Sequence, residues 1–187
     1  MTTSIRDVVP SLNATLSKSE VSVSLTEAGL LTERTSEVIR LYAEYRNWVE
    51  VKQRWHESRV HERGSRSSAQ QIFRIIKRRL LAGEASLPPI TRFAELAERC
   101  PTNQAKAQLF YFFLIQEDNL FRFVLHEVLR QQGLDRTEWD LSSETLGSVL
   151  SAFQYSDGSG IEYADSTAHR WVQGFRSVLR DIGVIDR

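Results

Sequence analysis

The chain has few of the residues that small proteins use as covalent or metal staples. It contains one cysteine, Cys100, which excludes an internal disulfide and any zinc site built from several cysteines. Its four histidines show no H-E-x-x-H or comparable metal spacing, so we expect neither a metal nor a cofactor. Cys100 itself is expected to be a small buried residue or an inert thiol.

Long apolar runs are also missing. The most apolar stretch, Leu109–Ile115, stops at Gln116, whereas a membrane-spanning helix needs about 20 apolar residues. The N-terminal residues lack the apolar run of a signal peptide. The sequence therefore predicts a soluble, cytoplasmic protein with no membrane partner.

Enzyme motifs are absent from the sequence as well. There is no G-x-x-x-x-G-K-[ST] phosphate loop, no G-x-G-x-x-G and no G-x-S-x-G. The glycine-rich run 157–160 (DGSG) lacks a following lysine and a preceding apolar strand, so it is interpreted as an ordinary turn. We predict that the protein is not an enzyme.

Hydrophobic residues make up 41% of the chain and recur mostly at helical spacing. The predicted fold is mainly α: a compact helical protein with helix-turn-helix or winged-helix-like modules and minor short strands, one of them at Val21–Leu25. The expected helices run from Thr35 or Ser36 to about Arg46, Trp48 to Ser58, Ala69 to Ala82, Arg92 to Glu98, Thr102 or Asn103 to Gln116, Asp118 or Asn119 to Gln132, Ser142 to Phe153, and Asp165 or Ser166 to Asp181.

Breaks in these patterns suggest three segments. Residues 1–24, rich in Ser and Thr, are predicted to be a flexible N-terminal arm, and 25–87 a helical DNA-binding module. Residues 88–187 are predicted to be a C-terminal helical module, and a second winged-helix-like unit is one form that this module could take. Whether the two modules are separate domains or one continuous helical body stays open.

Charge of one sign is concentrated in one part of a chain whose total charge is zero. Between Lys52 and Arg79, nine Lys and Arg residues face two Glu, which gives a local charge of +7. Such clustering favours a surface for a polyanion, and a merely solvated helix face is the alternative.

The order of elements in this basic segment is typical of a helix-turn-helix or winged-helix DNA reader. Two short helices precede a Gly-Ser break, and a third helix carries Arg and Gln outward. Serine hydroxyls and free N–H groups at its start can bond phosphate oxygens, while Gln and Arg on the next turns can reach phosphates or base edges. The predicted contacts are Arg59, Arg63, Ser65, Arg66, Ser67, Ser68, Gln70, Arg74, Lys77 and Arg78.

A weaker version of the same pattern opens the last helix. Ser166, Thr167 and Arg170 follow a Gly/Ser break there and are a possible second DNA contact. The aromatic residues between Phe110 and Phe123 lie on both faces of helices without interleaved Arg, so core packing is favoured over base stacking.

Several weak motifs, in order and spacing, resemble one family. They resemble the small A component (BrxA) of BREX phage-exclusion systems. The similarity covers roughly residues 25–187. The matching runs are Thr26–Leu31, Ser36–Ile39, Leu41–Tyr42, Trp48 with Val51, Arg63–Ala69 leading into Ile72–Leu80, Leu109–Ile115, Phe123–Leu125 and Leu179–Ile185.

The resemblance implies a small, mostly helical, non-enzymatic protein of a phage-defence system that acts beside other BREX components. It also implies binding of double-stranded DNA through helix-turn-helix or winged-helix-like modules, in agreement with the basic segment. Two other functions stay open: a protein–protein adaptor within the defence complex, and an RNA-binding protein.

Overall fold

Helices account for nearly all regular structure in the computed structural model, which describes residues 16–22, 24–26, 29–58, 66–84, 86–133 and 138–186, with the backbone alone at Arg66. Within these residues the α-helices number eight. They are α1 (Thr32–Tyr45), α2 (Trp48–Ser58), α3 (Arg66–Ala82), α4 (Ile90–Arg99), α5 (Asn103–Glu117), α6 (Asn119–Gln132), α7 (Ser143–Ser151) and α8 (Asp165–Asp181). The prediction of a mainly α protein is therefore confirmed.

Backbone contacts divide the chain into two compact units, each assembled from two separate stretches of sequence. The α3 unit comprises Ala28–Glu117 with Val178–Arg187. The α6 unit comprises Met1–Glu27 with Asp118–Ser177. The sequence-based segments 1–24, 25–87 and 88–187 stay predictions.

Helices α1 to α5 enclose the core of the α3 unit. On α3, Phe73, Ile76 and Leu80 recur at i, i+3 and i+7, so one stripe of the helix is buried and the opposite side faces outward. The buried residues of this core are Val38, Ile39, Leu41, Val51, Trp55, Phe73, Ile76, Leu80, Ile90, Phe93, Ala94, Ala97, Phe110 and Phe113. Burying this many apolar side chains is what holds short helices, which are marginal alone, in place.

The start of α1 differs from the prediction. The helix begins at Thr32, one turn before the predicted caps Thr35 and Ser36, after Leu31 in a left-handed conformation with a φ of 53°. Inside the helix, Thr35 Oγ1 donates to the Leu30 carbonyl and Ser36 Oγ to the Thr32 carbonyl. Because Ser and Thr can bond back to an earlier turn, their presence did not mark a helix end.

The start of α3 is also earlier than predicted. It begins at Arg66, so Ser67 and Ser68 lie in the first turn rather than at the cap. Helix α2, by contrast, has the predicted bounds, because Asn47 Oδ1 accepts the Val49 N–H at 2.8 Å and fixes its start locally.

Helix caps in the α6 unit follow the sequence closely. Asp118 Oδ1 accepts the Phe121 N–H at 2.9 Å at the start of α6, and Ser142 Oγ accepts the Thr145 N–H at 3.2 Å at the start of α7. The core beneath these helices contains Leu120, Phe121, Phe123, Val124, Val128, Leu146, Val149, Leu150, Phe153, Trp171, Val172 and Phe175.

The extended structure among the described residues is one antiparallel bridge between Gln154 and Gly160. It closes the turn predicted at 157–160, where Tyr155 N donates to Ser159 O at 2.8 Å and Gly158 has a φ of 77°. The strand expected at Val21–Leu25 is not formed by the described residues of that stretch. Ser24–Thr26 is a short 3₁₀ turn in which Ser24 and Leu25 are buried.

Part of the predicted N-terminal arm lies outside the described residues, which begin at residue 16. From there the chain is tied to the α6 unit. Leu16 O accepts the Ser156 N–H at 2.8 Å, Glu20 O accepts from Asn119 Nδ2 at 2.9 Å, and Lys18 lies 3.8 Å from the Asp157 carboxylate.

Candidate nucleic-acid interface

The outward side of α3 carries six of the ten residues that the sequence predicted as DNA contacts: Ser67, Ser68, Gln70, Arg74, Lys77 and Arg78. The helix contains basic residues and no acid anywhere in its sequence, RSSAQQIFRIIKRRLLA. Because the opposite stripe is buried in the core, the polar side chains have a fixed direction. The exposed members of this face are Ser67, Ser68, Gln70, Gln71, Arg74 and Arg78.

Arg74 is the most available cation of this face. Its side chain is exposed and makes no ion pair or hydrogen bond with any residue in the described part of the chain. Gln70, one turn earlier, is exposed in the same way. An uncompensated guanidinium beside an amide suits a phosphate or a base edge equally well.

Lys77 is held differently, by an aromatic ring. Its ammonium lies 5.2 Å from the centroid of Trp48, at the start of α2. Trp48 in turn contacts Tyr42 of α1, with ring centroids 4.4 Å apart, and meets Phe73 of α3 edge-on at 6.3 Å. Lys77 is therefore oriented without losing its charge.

Arg78 and Arg79 share a carboxylate. Arg78 Nε lies 2.7 Å from Oε1 of Glu117, and Arg79 Nε lies 4.0 Å from Oε2 of the same residue. Arg79 also donates from Nη1 to the Gly29 carbonyl at 2.6 Å. Arg79 is thus part of a buried charge cluster, and the charge of Arg78 is largely compensated although its side chain is 49% exposed.

Other predicted contacts are not described. Arg59, Arg63 and Ser65 lie outside the described residues, as does the side chain of Arg66. The same gap, residues 59–65, contains the first two residues of the Gly-Ser break predicted at 64–68, and the other three form the first turn of α3. The helix-turn-helix arrangement therefore stays a prediction.

The second predicted contact lies in the α6 unit, at the start of α8. Ser166 and Arg170 are exposed and Thr167 is half-buried. Asp165 opens the same helix, so its first turn is not purely cationic, unlike the first turn of α3. His169 Nε2 and Gln173 Nε2 lie 2.8 Å apart and form a local pair.

Sequence reasoning missed the partners that set the charge state of α3. Glu117 ends α5, and Trp48 opens α2, both distant in sequence from the cations that they contact. In the sequence, Trp48 is noted with Val51 as part of the family resemblance, and no cation partner is predicted for it.

Within the described residues, neither the cleft beside α1 nor any group of metal-ligating side chains forms a second site. A surface cleft of about 330 Å³ between the starts of α1 and α5 is lined by charges of both signs, including Glu33, Arg34 and Asp181. Within the described part of the chain, no group of three or more His, Cys, Asp or Glu side chains is arranged to hold a metal. None of the described helices has the length and apolar character needed to cross a bilayer.

Comparison with known proteins places the chain in one family. The family model described as BrxA matches residues 19–187. The chain has no significant match among curated proteins and none among solved structures.

Proposed function

Because the chain belongs to the BrxA family of BREX phage-defence proteins, we propose that it is a non-enzymatic protein that binds duplex DNA through the outward face of α3. Family membership also suggests other BREX components as partners. The outward face of α3 means Ser67, Ser68, Gln70, Gln71, Arg74, Lys77 and Arg78.

The observation that supports this function is the pair of uncompensated cations on α3. Arg74 has no partner among the described residues, and Lys77 lies over a neutral ring. No described carboxylate cancels either charge. Phosphates on DNA, by contrast, are closely spaced and surrounded by releasable counterions. Such a face should bind a polyanion with the largest gain in free energy, because its fixed cations replace counterions condensed on the DNA and release them into solution.

The packing of α3 against the core suits its outward face to the major groove of DNA. Its buried stripe, Phe73, Ile76 and Leu80, fixes the rotation of the helix about its own axis. Arg74 and Lys77 then contact phosphates, and Gln70 reaches a base edge, where a side-chain amide can bond adenine with two hydrogen bonds.

An adaptor is the competing function, and exposed apolar side chains favour it. Phe112 on α5 is 49% exposed and Val49 on α2 is 78% exposed. A partner protein that buried such side chains would bind with modest salt dependence. An RNA reader is less suited, because the major groove of an A-form helix is too deep and narrow for α3 to enter.

The test is fluorescence anisotropy with a short labelled DNA duplex at about 50 and 200 mM salt. The proposal predicts affinity that falls by orders of magnitude between the two conditions. An acidic protein and a structured RNA serve as competitors. Binding that is insensitive to salt, or that either competitor removes more readily than unlabelled duplex does, contradicts the proposal and favours the adaptor or the RNA reader.

A further inference from the structure

Trp48 is placed by three helices. It begins α2, where the Asn47 side chain holds the first turn through the Val49 N–H at 2.8 Å. The Tyr42 ring of α1 and the Phe73 ring of α3 both contact it. Phe73 is 4% exposed and belongs to the core, so the position of Trp48 is tied to the buried core of the unit.

The contact with Lys77 has an electrostatic consequence. A carboxylate partner cancels the charge of a cation, as Glu117 does for Arg78 at 2.7 Å. An indole ring attracts an ammonium through its quadrupole and leaves the positive charge intact. Of these two neighbouring cations, Arg78 is held by a carboxylate that cancels its charge, and Lys77 is held by a ring that does not.

We propose that Trp48 is a positioning residue for DNA binding that acts through Lys77. This inference rests on the proposed function. By keeping the Lys77 ammonium over its ring, Trp48 restricts a flexible side chain before DNA arrives, so binding costs less conformational entropy.

Direct stacking of Trp48 on a base is the main rival explanation. Trp48 is only partly exposed, packs against the core, and already has the ammonium of Lys77 over its ring. A base would have to displace that ammonium, and in duplex DNA the bases are stacked on one another. The geometry favours an effect through Lys77.

The experiment is a double-mutant cycle measured by duplex DNA anisotropy on the full chain. The variants are Trp48→Leu, Lys77→Gln and the double substitution. We expect Trp48→Leu to weaken binding by about two- to fivefold, the size of an exposed cation–π interaction. In the Lys77→Gln background the same substitution should have no effect.

Three further variants separate positioning from general damage to the fold. Lys77→Arg keeps a cation over the ring and should retain the dependence on Trp48. Trp48→Phe keeps an aromatic of weaker quadrupole and should fall between wild type and Trp48→Leu. Trp139→Leu replaces another half-buried tryptophan, whose Nε1 donates to the Gly133 carbonyl at 3.2 Å, and should leave affinity unchanged.

Proton NMR supplies a readout that general destabilisation does not mimic. The ε-methylene protons of Lys77 should be shifted upfield by the Trp48 ring and should return to ordinary values in folded Trp48→Leu. A Trp48→Leu effect that persists unchanged in the Lys77→Gln background overturns the inference and leaves DNA binding standing. No duplex binding by the wild-type chain overturns the proposed function, and the inference falls with it.

Discussion

Nε of Arg78 lies 2.7 Å from Oε1 of Glu117, although Arg78 stands on the same outward face as Arg74. One turn of helix therefore separates a compensated guanidinium from an uncompensated one. Among the described cations of α3, the uncompensated ones, Arg74 and Lys77, lie in its middle turns, and Arg78, nearer its end, is compensated by Glu117. Nucleic-acid affinity should follow the uncompensated charges rather than the total number of basic residues.

Charge reversal on the middle of α3 tests this directly. Arg74→Glu should weaken duplex binding by at least about tenfold, because it replaces an attractive charge with a repulsive one. Adding Arg66→Glu should abolish binding while helicity by circular dichroism stays unchanged. Arg99→Glu, an exposed reversal on α4 of the same unit, is the matched control. Equal reductions in affinity for Arg74→Glu and Arg99→Glu would mean that only net charge matters.

The salt dependence of binding should distinguish Lys77 from Arg78. Removing one charge that pairs with a phosphate lowers the slope of log K against log salt by about 0.9. Lys77→Gln should therefore lower the slope by about one, and Arg78→Gln by clearly less, because Glu117 already compensates Arg78. The measurement is a salt titration of each variant. A larger change for Arg78→Gln than for Lys77→Gln contradicts the assignment of the two charges.

Glu117 should be important for stability. Its side chain is 7% exposed, and the Arg79 side chain beside it is 6% exposed. Glu117→Gln removes a carboxylate that compensates the buried guanidinium of Arg79, so the free energy of unfolding should fall by about 3 kcal/mol. Chemical denaturation measures this, with Glu98→Gln on the exposed side of α4 as the control. A decrease no larger than that of the control would show that Arg79 does not depend on Glu117 for its compensation.

Two glycines inside helices should respond oppositely to alanine. A Cβ at Gly174 of α8 would lie 2.3 Å from the Leu25 carbonyl oxygen, so Gly174→Ala must displace backbone and should cost about 1–3 kcal/mol. Gly147 of α7 has nothing within 4 Å of the added atom. There, Gly147→Ala should stabilise by about 0.5–1 kcal/mol through its helix propensity. Thermal unfolding measures both variants. A Gly174→Ala variant at least as stable as the wild type would refute the close approach at Gly174, and a destabilised Gly147→Ala variant would refute the helix-propensity argument at Gly147.

The start of α7 should be sensitive to acid. Hydrogen bonds to its carboxylate hold the pKa of Asp140 below its ordinary value of 3.8. The largest effect comes from the Thr145 hydroxyl and the next from the Ser142 N–H. Because the folded pKa is the lower one, the stabilisation is complete above the ordinary value and is lost as pH falls through the folded value.

Thr145→Val should raise the pKa of Asp140 toward its ordinary value and reduce the loss of stability in acid. An NMR titration of the carboxyl groups measures the first effect, and unfolding at about pH 3 and about pH 7 measures the second. Asp157 is an internal reference, because its pKa is lowered by hydrogen bonds from Ser159 and should not move. An unchanged Asp140 titration would show that Thr145 does not set its pKa.

Local signals in the sequence predicted the helices well. Helix α2 has the predicted bounds because Asn47 caps it within the first turn, and α6 follows Asp118 for the same reason. The first helix was predicted one turn late because Thr35 and Ser36 bond back to carbonyls of the preceding turn instead of capping.

The charge state of the candidate site was beyond the sequence pattern. Arg74 and Arg78 are four residues apart and share a face, so periodicity treats them alike. Glu117 and Trp48, which distinguish the cations of α3, reach them only through tertiary packing. A basic helix can be located from sequence, but which of its charges are available depends on contacts between distant segments.

The α3 unit is built from two stretches that are far apart in the sequence, so it is completed late in biosynthesis. Its core lies in Ala28–Glu117, but Val178–Arg187 belongs to the same unit, and the Ile182 carbonyl accepts a hydrogen bond from Gln108 at 2.8 Å. During translation, therefore, the unit that carries the basic helix cannot be completed until residue 182 has left the ribosome. Until then the nascent α5 keeps Gln108 without this acceptor, so the last contacts of the unit form only after α8 has been synthesised.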